Sequence, residues 1–427
     1  MTGPINTKLL PITTSFSDEG RMSVGGVDLV SIADEFGTPV FVYDEQHLRK
    51  RCQDAIWAFG HGVAYAAKAF LCGAMARLAY QEGMHIDVAS AGEAYIALRA
   101  GVPADRLVMH GNNKSTAELT YALERQVGRI VVDGFDELER LSRLAGFGHP
   151  RPRVLLRINP GVEAHTHEFI ATGQEDSKFG FSLASGAATE AVIKCRAENS
   201  GVELVGLHAH VGSQVTESSS FAKILASLSA FFIPLGLPEL VIGGGLAVPY
   251  IDSDEAPTIA EWHSAIRLAA RDAGIPAGVR ISAEPGRAIT ATAGFTLYRV
   301  GTIKELPGIR TYVSVDGGMS DNIRPALYGA RYEAFLPRRA TAERDRPVRL
   351  VGKHCESGDF LINEAWVPQD MQIGDVLCTP VTGAYGYAMA SNYNKLPRPA
   401  VVFVNDGKAQ VVVRRETYED LLRNDVL

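Results

Sequence analysis

Between residues 39 and 295 short apolar runs alternate with longer stretches whose apolar residues recur every three or four positions. Runs at 63–67, 85–89, 106–110, 129–132, 153–158, 204–210, 240–242 and 279–283 read as strands buried on both faces, as in a parallel sheet. The stretches between them, including 74–82, 91–100, 115–124, 135–144 and 259–273, read as helices. Eight such repeats over about 240 residues predict an α/β fold, a closed (β/α)8 TIM barrel, which typically takes about 250 residues. An open, doubly wound parallel sheet is the alternative. After Gly294 the rhythm becomes strand after strand, at 295–300, 311–315, 348–353, 376–381, 400–404 and 409–414, with Asn405-Asp406-Gly407 predicting a hairpin turn. The expected organisation is an N-terminal segment at 1–37 joining the β domain through residues 20–27, a barrel over 38–294, and a C-terminal all-β domain over 295–427.

Composition narrows the classes of function. The 427 residues are 46% hydrophobic and 21% charged, as in ordinary globular proteins. With 49 acidic against 42 basic residues the net charge is −7, which argues against nucleic acid as a partner. The most apolar stretch, 231–251, holds Pro234, Pro238, Glu239, three consecutive glycines and Pro249, so no membrane span is expected. Five cysteines without a C-x-x-C pair suggest neither a disulfide framework nor a structural zinc site. The first residues lack a basic start followed by an apolar block, so a cytoplasmic protein is expected. His165 and His167 have no third ligand at a suggestive spacing, and no metal is expected.

The candidate chemistry falls at predicted strand ends. Lys68 closes the first barrel strand in Tyr65-Ala66-Ala67-Lys68-Ala69-Phe70. Barrel active sites sit at the C-terminal ends of the strands, and a desolvated lysine there readily loses its proton, as a Schiff-base amine must. Taken alone, the segment better suits a strand-end lysine reaching out to water. The sixth strand leads into His208-Ala209-His210-Val211-Gly212-Ser213-Gln214, the seventh into Gly243, Gly244 and Gly245, and the eighth into Glu284-Pro285-Gly286-Arg287. Glycines in the last loops of a barrel let backbone N–H groups approach a phosphate; Ser213 adds a hydroxyl and Arg287 a charge. An amine, a phosphate cup and an acid suit pyridoxal 5'-phosphate. Glu284 would keep the pyridine nitrogen protonated, which favours carbanion chemistry such as decarboxylation, and His210 would stack on the ring.

Seven segments in this order, YAAKAF, HVGSQ, GGG, EPGR, SVDGGMSDNIRPALYGA, KHCESGD and TGAYGYAMASNYN, resemble those of the fold-type III pyridoxal-phosphate-dependent decarboxylases, specifically the diaminopimelate decarboxylase family. GVEAHTHEFIAT followed by SKFG is similar to its actinobacterial branch. The resemblance spans 37 to about 415 and implies a barrel followed by a β domain. It implies that Lys68 is the Schiff-base lysine and that Glu284 partners the pyridine nitrogen. Asp87 and Arg157 match acidic and basic positions near them. Ser213, Gly245, Gly286, Arg287 and Tyr385 match cofactor-phosphate or adjacent positions. Arg287, Arg324 and Tyr328 match the grip on the substrate's distal carboxylate. Cys355 matches the proton donor and Glu356 the partner of the distal ammonium, both supplied by the second subunit of a homodimer with shared sites. A substrate with two amino-acid ends needs cationic donors and an acid to measure the far end, and these residue types supply them. A thiol suits proton transfer to a carbanion; the other four cysteines read as buried structural residues. The expected activity is conversion of meso-2,6-diaminopimelate to L-lysine and CO2. A decarboxylase of ornithine, lysine or arginine would leave Arg324 without a purpose, a racemase is disfavoured by Glu284, and a silent cofactor-binding protein by the presence of Cys355, Glu356 and Arg324.

Overall fold

The computed structural model describes residues 3–161, 177–210, 212–216 and 218–426. His165, His167 and residues 173–176 lie outside them. The chain divides into two compact units, one of residues 52–247 with 256–288, the other of 1–51, 248–255 and 289–427.

In the first unit eight parallel strands follow one another in chain order: Ala64–Ala66, His85–Val88, Leu107–Met109, Arg129–Val132, Arg153–Asn159, Glu203–His208, Glu239–Val241 and Arg280–Ser282. The Ala64 and Ala66 N–H groups donate to the carbonyls of Ala283 and Pro285 at 3.0 and 3.2 Å, joining the first strand to the chain just past the eighth and closing the barrel. Ala64, Val108, Val131, Leu155, Val205 and Val241 fill its interior as one apolar cluster, mostly branched residues that suit a pleated, two-sided burial. At the strand starts Glu239 receives Arg280 at 2.6 Å and Arg129 at 3.1 Å, so the N-terminal end is closed by ion pairs. The helices begin where their sequences provide caps: Ser115 with Glu118 and Thr258 with Glu261 form reciprocal capping boxes opening Thr116–Arg125 and Ile259–Asp272. The chemistry of the barrel is thereby left to its C-terminal end.

The second unit is built on an eight-stranded sheet ordered Phe360–Val367, Arg346–Val351, Arg310–Val315, Gly294–Leu306, Val40–Asp44, Ala400–Asn405 and Lys408–Val413, with Val376–Pro380 also on Gly294–Leu306. Val40–Asp44 falls inside the 38–294 span expected for the barrel, yet it pairs with Gly294–Leu306 and Ala400–Asn405 at the centre of this sheet. All five of its residues are buried, and such a run has the same appearance in either sheet. The N-terminal residues do not extend the sheet. Ser15–Phe16, Met22–Val24 and Val27–Asp28 form a small antiparallel sheet of their own. It is tied to the same unit by Thr13, which donates to Asp44 at 2.8 Å, and by the Gly407 N–H on the Gly25 carbonyl at 2.7 Å. Asp406 and Gly407, with φ of 47° and 73°, make the expected two-residue turn between the last two strands. No helix among the described residues is long and apolar enough to cross a membrane.

Candidate active site

Around the C-terminal ends of the barrel strands basic and acidic groups alternate over the first five, with Lys68, Asp87, His110, Asp133 and Arg157 on or just past strands one to five; His208 ends the sixth and Glu284 follows the eighth. Lys68 sits in a single turn, Ala67–Ala69, and is exposed between two buried alanines, so the desolvation expected of it is not present in the chain alone. Asp87, Arg157, His208 and Glu284 are buried. Glu284 accepts from His208 Nε2 at 3.0 Å through one oxygen, while its other oxygen lies 3.3 Å from His110 Nε2. That same Nε2 is 3.5 Å from Asp87 Oδ1. Arg157 lies over the Phe179 ring at 4.2 Å, with its guanidinium 3.6 Å from Asp133.

Burial and charge set these groups apart. Burial pushes Glu284 up, but His208 and His110 outweigh it and hold the carboxyl well below the usual range. Burial and the charge of Glu284 lift Asp87 to about 7. Burial opposes charge on His110 too, yet Glu284 and Asp87 raise it to about 9. Burial lowers His208, which donates to Glu284 as a neutral ring. His110, His208 and Glu284 bring one ligand atom each within 4.8 Å of one another, and His208 already donates to the carboxylate.

The glycine loop lies beside this cluster. The Gly244 N–H donates to His210 Nδ1 at 3.2 Å, which leaves the proton of the neutral ring on Nε2, and burial drives the His210 pKa well below its ordinary value. A side chain at Gly243 would put Cβ 2.5 Å from His210 Nδ1, and one at Gly245 2.2 Å from the Gly212 carbonyl; their φ values of 67° and 107° also demand glycine. A Cβ at Gly244 would come as close, 2.3 Å from the Glu284 carbonyl, and one at Gly286 would lie 3.0 Å from Ala66. Arg287 donates to Ser213 Oγ at 2.8 Å. The described barrel unit therefore brings Lys68, Asp87, Arg157, His210, Ser213, the three glycines, Glu284, Gly286 and Arg287 to one end.

The remaining predicted residues lie in the β unit. Arg324 opens the short helix Arg324–Tyr328 and is 6% exposed. Its guanidinium lies 4.5 Å over the Tyr250 ring and 5.6 Å from that of Tyr332, and it donates to the Tyr332 hydroxyl. Its charge is surrounded by tyrosines, Tyr250, Tyr332 and Tyr385, and no carboxylate among the described residues pairs with it. Tyr328 and Tyr385 are half-buried, and Tyr385 has φ of 62°, a strained conformation of the kind kept where a side chain must be aimed. Cys355 and Glu356 are exposed, on the turn between Arg346–Val351 and Phe360–Val367. The turn is pinned from below: Asp359 accepts the His354 N–H at 2.8 Å, and Asn394 accepts the Cys355 N–H at 3.2 Å. Cys52, Cys72, Cys195 and Cys378 are all buried.

Residues 45–291 match the family model of the pyridoxal-binding domain of pyridoxal-dependent decarboxylases. The chain is 45% identical over 435 residues to the diaminopimelate decarboxylase of Mycobacterium tuberculosis, with 97% of each covered. The chain belongs to the diaminopimelate decarboxylase family. It is also 46% identical over 428 residues to the enzyme of that name from Bacillus subtilis, again covering 97% of both. Its structure is similar to that of the M. jannaschii diaminopimelate decarboxylase in complex with L-lysine, at a TM-score of 0.89 and 34% identity over 97% of this chain and 98% of that one. A Vibrio vulnificus lysine/ornithine decarboxylase at 24% identity and a TM-score of 0.75 shares the fold.

The family requires pyridoxal phosphate, and the barrel end fits it. An exposed amine, a loop where any side chain would collide, an arginine–serine pair and a buried, ionised acid are the parts such a group needs. Asp87 Oδ1 is buried with no hydrogen-bond donor of its own among the described residues. Three members of the cluster escaped the reading of the sequence: His110, His208 and Asp133. The available signal was their position, each at or just past the last residue of a barrel strand.

Proposed function

We propose that the chain decarboxylates meso-2,6-diaminopimelate to L-lysine and CO2, as its family does. The observation that carries the choice of substrate is Arg324. A buried guanidinium without a protein carboxylate is costly to maintain, and a carboxylate arriving with the substrate satisfies it. Ornithine, lysine and arginine have none at their far end.

Pyridoxal phosphate, when bound, supplies a carbonyl that captures the substrate amine and a conjugated ring that accepts the electron pair left by CO2. Lys68 is the residue whose amine would hold the group through that carbonyl. Gly243, Gly244, Gly245, Gly286, Ser213 and Arg287 receive the phosphate, the last three with donors or close backbone. His210 presents the flat face of a neutral ring, and Arg157 with Asp87 sets the charge around it. Glu284, as an anion, retains the proton on the ring nitrogen. Arg324, Tyr328, Arg287 and Tyr385 grip the distal carboxylate and Glu356 the distal ammonium. Cys355 delivers the proton that replaces CO2. Cys355 and Glu356 come from the second chain of a homodimer, as the resemblance implies. Among the described residues no two cysteines form a disulfide, which suits a cytoplasmic, reducing setting.

CO2 release from diaminopimelate, lysine, ornithine and arginine by the purified holoenzyme tests the assignment. Diaminopimelate should be turned over well ahead of the other three; comparable release from any of them would overturn it.

A further inference from the structure

We propose that His110 is a positioning residue: lying between Asp87 and Glu284, it carries the positive charge that lets Glu284 meet the cofactor nitrogen as a carboxylate. The inference rests on the placement of Glu284 at that nitrogen.

Asp87 and Glu284 are both buried and both within 3.5 Å of the same His110 nitrogen. Two carboxylates so placed do not both ionise unless a cation lies with them; otherwise one takes up a proton. Each other basic group nearby has a different engagement. Lys68, whose charge reaches Asp87, Glu93 and His210, is the residue that holds the cofactor. Arg157 pairs with Asp133. His208 touches only Glu284 of the two acids, and burial favours its neutral form. Glu93 faces Lys68 and His110 but is itself engaged by the Ala89 N–H at 2.6 Å.

That leaves His110 as the group in reach of both acids. Its ring meets that of His208 edge to face, with centroids 5.2 Å apart. The electrostatic order agrees with the geometry: His110 near 9, Asp87 near 7 and Glu284 far lower put one proton on the histidine and none on Glu284 at neutral pH. Without that charge the two acids would share a proton. A protonated Glu284 would offer an O–H to a nitrogen that needs an acceptor, and the ring would become a weaker electron sink.

The test uses holoenzyme, with the absorption spectrum and dissociation constant of bound pyridoxal phosphate as readouts beside kinetics. In His110→Gln, kcat should fall by about tenfold or more while KM for substrate changes little, the signature of a lost transition-state effect. The cofactor spectrum should gain an ionisation of Glu284 between pH 6 and 8, on top of the Asp87 titration near 7 already present in wild type, and the cofactor should dissociate more readily. Asp87→Asn in the His110→Gln background removes the second acid and should abolish the new ionisation. A spectrum and affinity like wild type in His110→Gln, or a defect that Asp87→Asn leaves unchanged, would overturn the proposal, since a packing role predicts no such cancellation of charge. Should His110→Gln not fold, the nearly isosteric Asp87→Asn alone decides. It should lower by about one pH unit or more the pH, near 9 in wild type, at which loss of the His110 proton changes the cofactor spectrum, and an unmoved transition would overturn the proposal. Glu284→Gln separates the two levels. If it leaves the cofactor spectrum unchanged, the placement of Glu284 fails; if it perturbs the spectrum and His110→Gln does not, only the role of His110 fails.

Discussion

Arg324→Met removes a buried charge while keeping an unbranched chain beneath Tyr250 and Tyr332. That charge faces tyrosines and, among the described residues, no acid, at 6% exposure. Its loss should therefore leave the midpoint of thermal unfolding near wild type: the cation–π contacts given up, worth about 0.5 to 2 kcal/mol, are offset by relief of an uncompensated buried cation. Catalysis should respond very differently. Truncating one partner of a buried charge pair costs about 2 to 5 kcal/mol, so kcat/KM for diaminopimelate should fall by about 30- to 4,000-fold. Tyr332→Phe removes one hydrogen bond to the guanidinium and should cost about 1 kcal/mol, or roughly fivefold. The assay is CO2 release from diaminopimelate and, in parallel, from L-lysine, which lacks the distal carboxylate. The ratio of the two rates should collapse in Arg324→Met. Equal losses on both substrates, or a markedly lower unfolding midpoint, would show that Arg324 serves the fold or the cofactor and would refute the reasoning.

Three further outcomes follow from the site. Borohydride should fix the cofactor on Lys68, and Lys68→Ala should lose turnover by several orders of magnitude; a peptide map placing the adduct on another lysine contradicts the assignment. His110, raised to about 9 from an ordinary 6.5, binds its proton more tightly folded than unfolded. Its contribution, at most about 3 kcal/mol, is fully present below pH 6.5 and is lost as pH rises through 9, so denaturant unfolding of the apoprotein at pH 7 and 9.5 should show a smaller pH effect in His110→Gln than in wild type. Equal pH effects would contradict it. Co-refolding equal amounts of Lys68→Ala and Cys355→Ala chains should restore about a quarter of wild-type activity if each site is shared across a dimer, because hybrids carry one intact site. No recovery with proven subunit exchange refutes sharing.

The barrel strands were legible because strands buried on both faces read as continuous apolar runs, and the glycine loops because their spacing matched the ends of those runs. The same uniformity hid the place of Val40–Asp44, since an all-buried run does not say which sheet it joins. Phe360–Val367 escaped for the opposite reason. Irregular pairing with Arg346–Val351 breaks its alternation, leaving Asn363 and Glu364 exposed side by side in mid-strand. Lys68, Glu284 and His210 stood out because glycines or small residues surround them. His110, His208 and Asp133 did not, because each closes or directly follows an apolar run and reads as its last residue. Their meaning lies in the ring of alternating charge, and a ring exists only once the strands have closed.

The most direct measurement is to incubate the holoenzyme with meso-2,6-diaminopimelate in D2O and analyse the products by mass spectrometry and NMR. The account predicts CO2 and L-lysine in equal amounts, with the lysine carrying one deuterium at its ε-carbon, the carbon that lost the carboxylate, since the proton that replaces the carboxylate comes from an exchangeable donor. Diaminopimelate recovered intact while lysine or ornithine is converted to a diamine would contradict it.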